Sequence, residues 1–248
     1  MKVCQSKNYL VTGGTSGIGL AVAKKLASVG ARVIIISNNE EKLKNAIHVI
    51  KGDSNLYFKY NLEDTRNISS IFEFLHSKEI ILDGMVHCAG IAPLCLIQDN
   101  TVELMESVFN VNVFSFLELV KYYQQEENSK ANTKIVAVSS ITAKGAGYRQ
   151  TLYGSSKAAL SSSVKLMAKE LLNRNIHINT ISPGVCDTEL LNKLKYESEN
   201  LEDKIMQSQS LGIISPEKVS EAILFLLSDA ADYLTGTDLI FDGGAFLK

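Results

Sequence analysis

The 248-residue sequence lacks the features that mark membrane proteins, nucleic-acid-binding proteins and chains divided by flexible linkers. No stretch approaches the roughly 18 to 20 uninterrupted apolar residues of a membrane-spanning helix, so we expect no membrane span. The formal net charge is −2 and no block of lysine and arginine occurs, which argues against a nucleic-acid partner. Only three prolines are present and no Pro- or Ser-rich linker occurs, so we expect a single domain over residues 1–248.

Cysteine and histidine are few and widely spaced. Neither a C-x-x-C pair nor a metal-ligand spacing of histidines occurs, so the sequence predicts no metal site. Lys2 and Lys7 interrupt any apolar run at the amino terminus, so we expect no secretory signal. Dispersed thiols are typical of a reducing compartment, and we therefore expect a cytoplasmic location. The four cysteines are Cys4, Cys88, Cys95 and Cys186.

Apolar segments of strand length alternate with segments of helical periodicity along the whole chain. This alternation is typical of a parallel sheet covered by helices on both faces. We therefore predict an α/β fold with a doubly wound, Rossmann-type parallel sheet of about seven strands. The predicted strands are 8–12, 32–36, 55–60, 83–88, 134–139, 176–181 and 237–241. The predicted helices are 17–29, 40–50, 65–76, 101–126, 151–174 and 215–227.

A polar segment over residues 187–212 follows the Pro183–Gly184 pair that ends the sixth predicted strand. We expect this segment to form helices that act as a lid over a substrate pocket. Four apolar side chains in it could either face the pocket or pack as an ordinary amphipathic helix, and the sequence favours neither. They are Leu190, Leu191, Leu194 and Ile205.

A glycine-rich loop connects the first predicted strand to the first predicted helix. The sequence Thr12-Gly-Gly-Thr-Ser-Gly-Ile-Gly19 allows a tight turn and close approach of a pyrophosphate to backbone N–H groups at the helix terminus. The spacing is G-x-x-x-G-x-G, one residue longer than the G-x-G-x-x-G dinucleotide fingerprint. The loop predicts nucleotide binding.

This longer spacing resembles the single-domain short-chain dehydrogenase/reductases, and further motifs of that family recur in order along the chain. They are His87-Cys88-Ala89-Gly90, Asn112, Ser140, the Tyr153-x-x-x-Lys157 pair, Pro183-Gly184 with Thr188, and Asp242-Gly243-Gly244. The resemblance implies an NAD(P)-dependent oxidoreductase with the catalytic residues Asn112, Ser140, Tyr153 and Lys157. It implies cofactor contacts from Gly13, Thr15, Ser16, Gly17, Ile18, Gly19, Ser37, Asn38, Asn61, Leu62, Cys88, Ala89, Gly90, Tyr153, Lys157, Pro183, Gly184, Val185 and Thr188.

Tyr153 and Lys157 lie four residues apart on a predicted helix, so their side chains leave the same face. A free tyrosine, with a pKa of about 10, exchanges its proton slowly near neutral pH. We expect the Lys157 ammonium to favour the phenolate and so to lower the pKa of Tyr153. Ser140, thirteen positions before Tyr153, would hold and polarise the substrate oxygen. The resemblance also assigns Lys157 to the nicotinamide ribose hydroxyls.

Asn112 would, by the resemblance, bind a water that relays protons from the lysine, with a local deformation of the helix around it. Asn110 is the rival for this role, and we prefer Asn112 because the aliphatic Val113 that follows fits the family pattern. An asparagine that simply faces solvent is the third possibility, although asparagine is unfavourable inside helices.

The choice of coenzyme depends on the residues that follow the second strand. An acidic residue there would bind the ribose 2′-hydroxyl of NAD, and a basic one would neutralise the extra phosphate of NADP. This chain has Ser37 and Asn38, which do neither, and NADP is weakly preferred because nothing would repel a phosphate. His87 and Cys88 replace two asparagines of the family, and we expect them to act as a neutral polar group and a small buried side chain.

The resemblance favours reduction of a ketone, above all a 3-oxoacyl thioester on a carrier protein, for which Lys130 and Arg174 are candidate basic residues at the cleft mouth. A sugar, polyol or other small-alcohol dehydrogenase is the alternative. A nucleotide-binding scaffold or redox sensor that has lost its chemistry is the alternative from another class. The helices 101–126 and 151–174 are apolar on more than one stripe, and relatives pair such helices, so we expect a homodimer or homotetramer.

Overall fold

Seven strands form one sheet in this computed structural model, which describes residues 6–145, 147–189, 191 and 201–247. Every strand pair is parallel, and the strand order is β3-β2-β1-β4-β5-β6-β7. The strands are β1 (Asn8–Thr12), β2 (Arg32–Ser37), β3 (Leu56–Lys59), β4 (Leu82–His87), β5 (Ser129–Val138), β6 (His177–Pro183) and β7 (Asp238–Phe241). The predicted doubly wound α/β sheet is confirmed.

The helices cover both faces of the sheet. They are α1 (Gly17–Ser28), α2 (Glu40–Val49), α3 (Ser69–Ser77), α4 (Val102–Phe109), α5 (Ser115–Tyr123), α6 (Thr151–Leu171), α7 (Leu201–Ser208) and α8 (Pro216–Leu226). Helices α1, α2 and α8 supply one apolar core, and α3, α5 and α6 supply the other. A parallel sheet requires this arrangement, because both of its faces must be removed from water.

Strand β2 shows how the sequence builds both cores at once. Val33 and Ile35 belong to the core beneath α1 and α2, whereas Ile34 and Ile36 belong to the core on the opposite face. Successive side chains of a strand point to opposite faces, so a continuous aliphatic run places apolar groups on both. All four side chains are completely buried.

The long helix predicted over residues 101–126 is interrupted by the local deformation expected around Asn112. The structure divides it into α4, a π-helical turn at Asn110–Phe114, and α5. A π-helical turn accommodates one residue more than a regular α-turn, and such turns occur frequently at functional sites. The turn places Asn112 and Val113 in the interior.

Two other predicted boundaries also shift. Strand β5 begins at Ser129, five residues before the predicted start, because Ser129 pairs with Leu82 ahead of an irregularity in the β4–β5 register. Helix α3 begins at Ser69, since a short 3₁₀ turn at Thr65–Asn67, capped by Asp64, occupies its predicted start. Within the described ranges, none of the helices is long and apolar enough to cross a bilayer.

The direction of winding reverses between β1 and β4. The chain first builds outwards from β1 to β3, and then returns to place β4 on the other side of β1, with Thr12 paired to His87 at the carboxyl ends of the two strands. In open parallel sheets, the crevice at such a reversal binds ligands. The glycine-rich loop follows β1 directly, so it opens into this crevice.

Two apolar residues of α2 test the assignment of the core. Leu43 is completely buried, whereas Val49 is 55% exposed. We expect Leu43→Ala to lower the free energy of unfolding by about 2 to 5 kcal/mol, because it leaves a cavity in the core. The control Val49→Ala should change it by less than about 0.5 kcal/mol. Urea unfolding measures both, and equal losses would contradict this packing of α2.

Candidate active site

A cleft of about 1050 Å³ lies at the carboxyl ends of the central strands. Its volume is slightly above the usual range of about 300 to 1000 Å³ for small-molecule sites, which suits a dinucleotide together with a substrate. Most of the predicted site residues line it. They are Gly13, Thr15, Ser16, Gly17, Ile18, Gly19, Cys88, Ala89, Gly90, Ser140, Tyr153, Lys157, Pro183, Gly184, Val185 and Thr188.

The glycine loop packs closely against the end of β4. Gly13 has φ +66°, and a Cβ placed on it would lie 2.8 Å from the backbone nitrogen of Ala89, so no other residue fits without strain. The Thr12 hydroxyl accepts a hydrogen bond from that nitrogen at 3.3 Å and pairs with His87 Nδ1 at 2.9 Å. These contacts fix the loop to the strand at the floor of the cleft.

The amino terminus of α1 is suited to an anion. The Ser16 side chain makes no capping hydrogen bond with the described residues, and the first turn of α1 contains no acidic side chain. The N–H groups and the positive end of the helix dipole therefore face the cleft without a competing carboxylate. The loop thus fits the pyrophosphate of a dinucleotide.

Ser140 and Tyr153 are brought together at one wall of the cleft. Ser140 follows β5 by two residues and caps a short turn at Ile141–Ala143, and Tyr153 lies in the first turn of α6. Burial raises the pKa of Tyr153 above its ordinary value, and the hydrogen bond with Ser140 opposes this only in part. The phenol is consequently protonated near neutral pH.

Lys157 is 3% exposed and lies beneath Tyr153, with its Nζ 5.9 Å from the centre of the phenol ring. The ammonium donates a hydrogen bond to the Val138 carbonyl at 2.8 Å. Burial lowers the pKa of Lys157 to about 8. The predicted lowering of the Tyr153 pKa by this ammonium is not seen, because burial of the phenol dominates.

Asn112 extends from the π-helical turn towards the Lys157 ammonium. Its Oδ1 accepts a hydrogen bond from the Ile91 backbone nitrogen at 2.8 Å, and its Nδ2 donates to the Ile91 carbonyl and to Ser156 Oγ, each at 2.9 Å. A Cβ placed on Gly90 would lie 3.2 Å from both Asn112 Oδ1 and Lys157 Nζ. The structure therefore brings Asn112, and not Asn110, to the lysine.

His87 and Cys88 are neutral in the folded protein. Burial, helped by the nearby Lys157 charge, lowers the pKa of His87 to about 3, and its ring packs 5.0 Å from that of Phe116. Burial raises the pKa of Cys88 to about 12. These shifts agree with the expectation of a neutral polar group at position 87 and a neutral thiol at position 88, although the Cys88 side chain is only half-buried and lines the cleft.

Four predicted cofactor residues lie beside the cleft without lining it. Ser37 is at the end of β2, where its hydroxyl accepts a long hydrogen bond from Thr15 at 3.4 Å. Asn38 is exposed, Asn61 forms a local turn with Glu63, and the Leu62 side chain is buried in the core. They stand on the side of the glycine loop that a bound adenosine would occupy.

Several residues that line the cleft were not predicted from the sequence. Tertiary folding alone brings these residues there, because they come from the loop after β4, the start of α6, the segment after β6, the end of α7 and the region near the carboxyl terminus. The residues not predicted include Ile91, Pro93, Gln150, Cys186, Gln209 and Phe246.

Comparison with known proteins identifies the same class of enzyme that the sequence motifs imply. A family described as Enoyl-(Acyl carrier protein) reductase matches residues 13–245. The chain is 32% identical over 246 residues to the 3-oxoacyl-[acyl-carrier-protein] reductase of Aquifex aeolicus, with 98% of each chain covered. It is 34% identical over 246 residues to that of Thermotoga maritima, with 97% of this chain and 98% of the other covered.

Solved structures agree over nearly the whole chain. A short-chain type dehydrogenase/reductase from Mycobacterium ulcerans superimposes with a TM-score of 0.91 at 29% identity, covering 99% of this chain and 92% of that one. A 4-hydroxyisoleucine dehydrogenase complexed with NADH superimposes with a TM-score of 0.90 at 27% identity, covering 98% of this chain and 100% of that one. The fold and site define an NAD(P)-dependent oxidoreductase. The chain belongs to the short-chain dehydrogenase/reductase family, as its motifs predicted.

The cysteines of the cleft test whether it is a redox sensor. Burial raises the pKa values of Cys88 and Cys186 to about 12 each, so few thiolates form at neutral pH. We expect both thiols to react slowly with iodoacetamide at pH 7.5 in the folded protein and rapidly in urea, as measured by peptide mass spectrometry. Fast labelling of Cys88 in the folded protein would favour the sensor.

Proposed function

We propose that this oxidoreductase reduces the ketone of a 3-oxoacyl thioester, with NADPH as the preferred donor. The observation that carries the proposal is the convergence of Ser140, Tyr153 and Lys157 on a cleft that continues into the glycine loop. The 3-oxoacyl-[acyl-carrier-protein] reductases similar to this chain over almost its entire length support the substrate class.

The protein supplies proton transfer and orientation. The glycine loop and the segment after β6 would hold a reduced nicotinamide coenzyme, which would supply a hydride to the carbonyl carbon. Ser140 donates a hydrogen bond to the carbonyl oxygen, where negative charge develops. Tyr153 transfers its phenolic proton to that oxygen, and because burial raises its pKa the phenol retains the proton until the oxygen becomes strongly basic.

Lys157 and Asn112 restore the phenol after each turnover. The pKa of Lys157, about 8, leaves most of its side chain charged at pH 7, so it stabilises the phenolate that proton transfer creates. Asn112 fixes the Ile91 backbone beside the lysine, and we assign it to hold a water that conducts a proton inwards from solvent. In the reverse direction, the same groups remove a proton from an alcohol.

The coenzyme preference rests on the end of β2. Neither Ser37 nor Asn38 is acidic, so no carboxylate at these positions repels a 2′-phosphate or selects a free 2′-hydroxyl. Lys42, in the first turn of α2, is a cation near this point, and it forms an exposed ion pair with Glu189 of the cleft at 3.0 Å. The 2′-phosphate of a bound NADPH would provide a further anionic partner for the Lys42 ammonium.

A carrier-linked substrate fits the relatives, but the two basic residues expected at the cleft mouth lie elsewhere in this chain. Lys130 pairs with Asp83 at 2.8 Å, and Arg174 donates to the Ser129 carbonyl at 2.8 Å. Both contacts are at the amino ends of the strands, opposite the cleft. We therefore propose a thioester substrate without assigning these side chains to a carrier protein. A small-alcohol dehydrogenase is the second candidate, supported by the 4-hydroxyisoleucine dehydrogenase.

We propose that residues 187–212 form the substrate lid of a single catalytic domain. Leu191 and Ile205 are buried, while Leu190 and Leu194 lie outside the described residues. A homodimer or homotetramer in the cytoplasm remains our expectation. The association of subunits is supported by exposed apolar side chains on α4 and α6, which include Val102, Met105 and Leu166.

The variant Tyr153→Phe tests whether the phenolic hydroxyl transfers the proton. Removal of the phenolic hydroxyl should lower kcat for a 3-oxoacyl thioester by at least about 10²-fold and leave cofactor affinity nearly unchanged. Tyr148→Phe is the matched control, because Tyr148 is nearby on the chain, 83% exposed, and should keep full activity. A fully active Tyr153→Phe enzyme would refute the mechanism. Turnover of an enoyl thioester or a small alcohol alone would refute the substrate class.

Fluorescence titration of the reduced coenzymes tests the preference. We expect the Kd for NADPH to be about tenfold or more below that for NADH, equivalent to about 1.4 kcal/mol. Lys42→Met should weaken NADPH binding more than NADH binding, because only NADPH carries the extra phosphate. Tighter binding of NADH by the parent enzyme would contradict the proposed preference.

A further inference from the structure

Gln209 follows α7 and is completely buried, although its side chain is a polar amide. Such a group is stable in the interior only when its donors and acceptor find partners. All three parts of this carboxamide are bonded, and all the partners are backbone atoms. Gln209 has no part in the reduction described above, so its contacts call for a separate explanation.

Both polar groups of the Val185 backbone are bonded to this one side chain. Gln209 Oε1 accepts a hydrogen bond from the Val185 nitrogen at 2.8 Å, and Nε2 donates to the Val185 carbonyl at 3.1 Å. Nε2 also donates to the Gly212 carbonyl at 2.6 Å. The amide thus pairs with Val185 as a neighbouring strand would, in the segment just beyond β6.

Two glycines leave the space that this amide occupies. A Cβ placed on Gly184 would lie 2.2 Å from Gln209 Oε1, and one placed on Gly243 would lie 2.8 Å from Gln209 Cγ. Both distances are shorter than real contacts allow, so a side chain at either position would expel the glutamine. The two glycines belong to the Pro183-Gly184 and Asp242-Gly243-Gly244 sequences, which therefore form a slot for Gln209.

Gln209 also fixes the end of α7, the helix of the proposed lid. The Gln209 nitrogen donates to the Ile205 carbonyl at 2.7 Å, and the Leu211 nitrogen donates to the Gly243 carbonyl at 3.0 Å. One side chain therefore connects α7, the segment after β6 and the segment after β7. Val185 and Gly184 both line the cleft.

We propose that Gln209 is a positioning residue that sets the nicotinamide end of the cleft, by holding the Val185 backbone at a fixed distance from the lid. This inference rests on the proposed function, because it assumes that the segment from Pro183 to Thr188 receives the nicotinamide. Gln209 itself touches neither the phenol nor the ammonium that move the proton. Its effect passes through the position of Val185.

The test compares the binding of the whole coenzyme with the binding of a fragment that lacks the nicotinamide end. Gln209→Met fills the space but removes all three side-chain hydrogen bonds, and Gln207→Met is the matched control, because Gln207 is exposed on α7. Each variant is titrated with the reduced coenzyme that the parent prefers, and with the corresponding fragment that lacks nicotinamide, 2′-phospho-ADP-ribose or ADP-ribose. Steady-state kcat and thermal unfolding are measured in parallel.

We expect Gln209→Met to lower kcat, coenzyme affinity or both by about tenfold or more, the equivalent of one lost buried hydrogen bond. Affinity for the fragment should stay within about twofold, because the fragment binds at the glycine loop. The Gln207→Met control should match the parent throughout. A purely structural role would weaken coenzyme and fragment equally, and that result, or an unchanged kcat and coenzyme affinity, would overturn the proposal.

Gln209→Glu keeps the shape of the side chain and carries the test if the methionine variant does not fold. Its carboxylate can accept from the Val185 nitrogen, but it cannot donate to the Val185 and Gly212 carbonyls. We expect coenzyme affinity to be impaired at pH 8 and to recover relative to the parent as the carboxyl is protonated at lower pH. A loss that does not depend on pH would count against the proposal. A parent enzyme that binds neither coenzyme would instead refute the proposed function.

Discussion

The hydrogen bond from the buried Lys157 ammonium to the Val138 carbonyl is the contact on which the arrangement of the site depends. It joins α6 to the end of β5, and so fixes the position of Tyr153, one helical turn earlier, relative to the sheet. A buried ammonium is costly unless its donors are satisfied, and the position of the lysine is therefore strongly constrained. Gly90 lies close to both Asn112 Oδ1 and the Lys157 ammonium, so the segment that follows β4 and the end of β5 meet the π-helical turn and α6 at this charge.

Features that depend on local sequence could be predicted. The aliphatic run of β2 predicts a strand buried on both faces, and the glycines after β1 predict an anion-binding loop, because in both cases neighbouring residues carry the whole signal. Tyr153 and Lys157 could be paired because helical spacing fixes their relative direction. The strand order that places them beside the glycine loop follows from the general rule for doubly wound sheets.

Features that depend on three-dimensional packing could not be predicted in the same way. The resemblance predicted Asn112 and a deformation of the helix around it, but the residues alone carry no distinct signal for the π-helical turn that brings Asn112, rather than Asn110, inwards. The direction of the Tyr153 pKa shift was wrongly predicted, because the spacing of two residues reveals the nearby charge but not the burial that outweighs it. Gln209 had no apparent role as a lone polar residue in a polar segment, since its partners come from distant parts of the chain.

The π-helical turn also limits how this chain can vary in length. Surface loops absorb insertions and deletions because their ends can adjust. A deletion within the turn would instead restore regular α-helical winding, because the turn holds one residue more than an α-helical turn does. Asn112 would then lose the widened turn from which its amide bonds to Ile91 and Ser156. In this helix the number of residues is therefore as constrained as their identity.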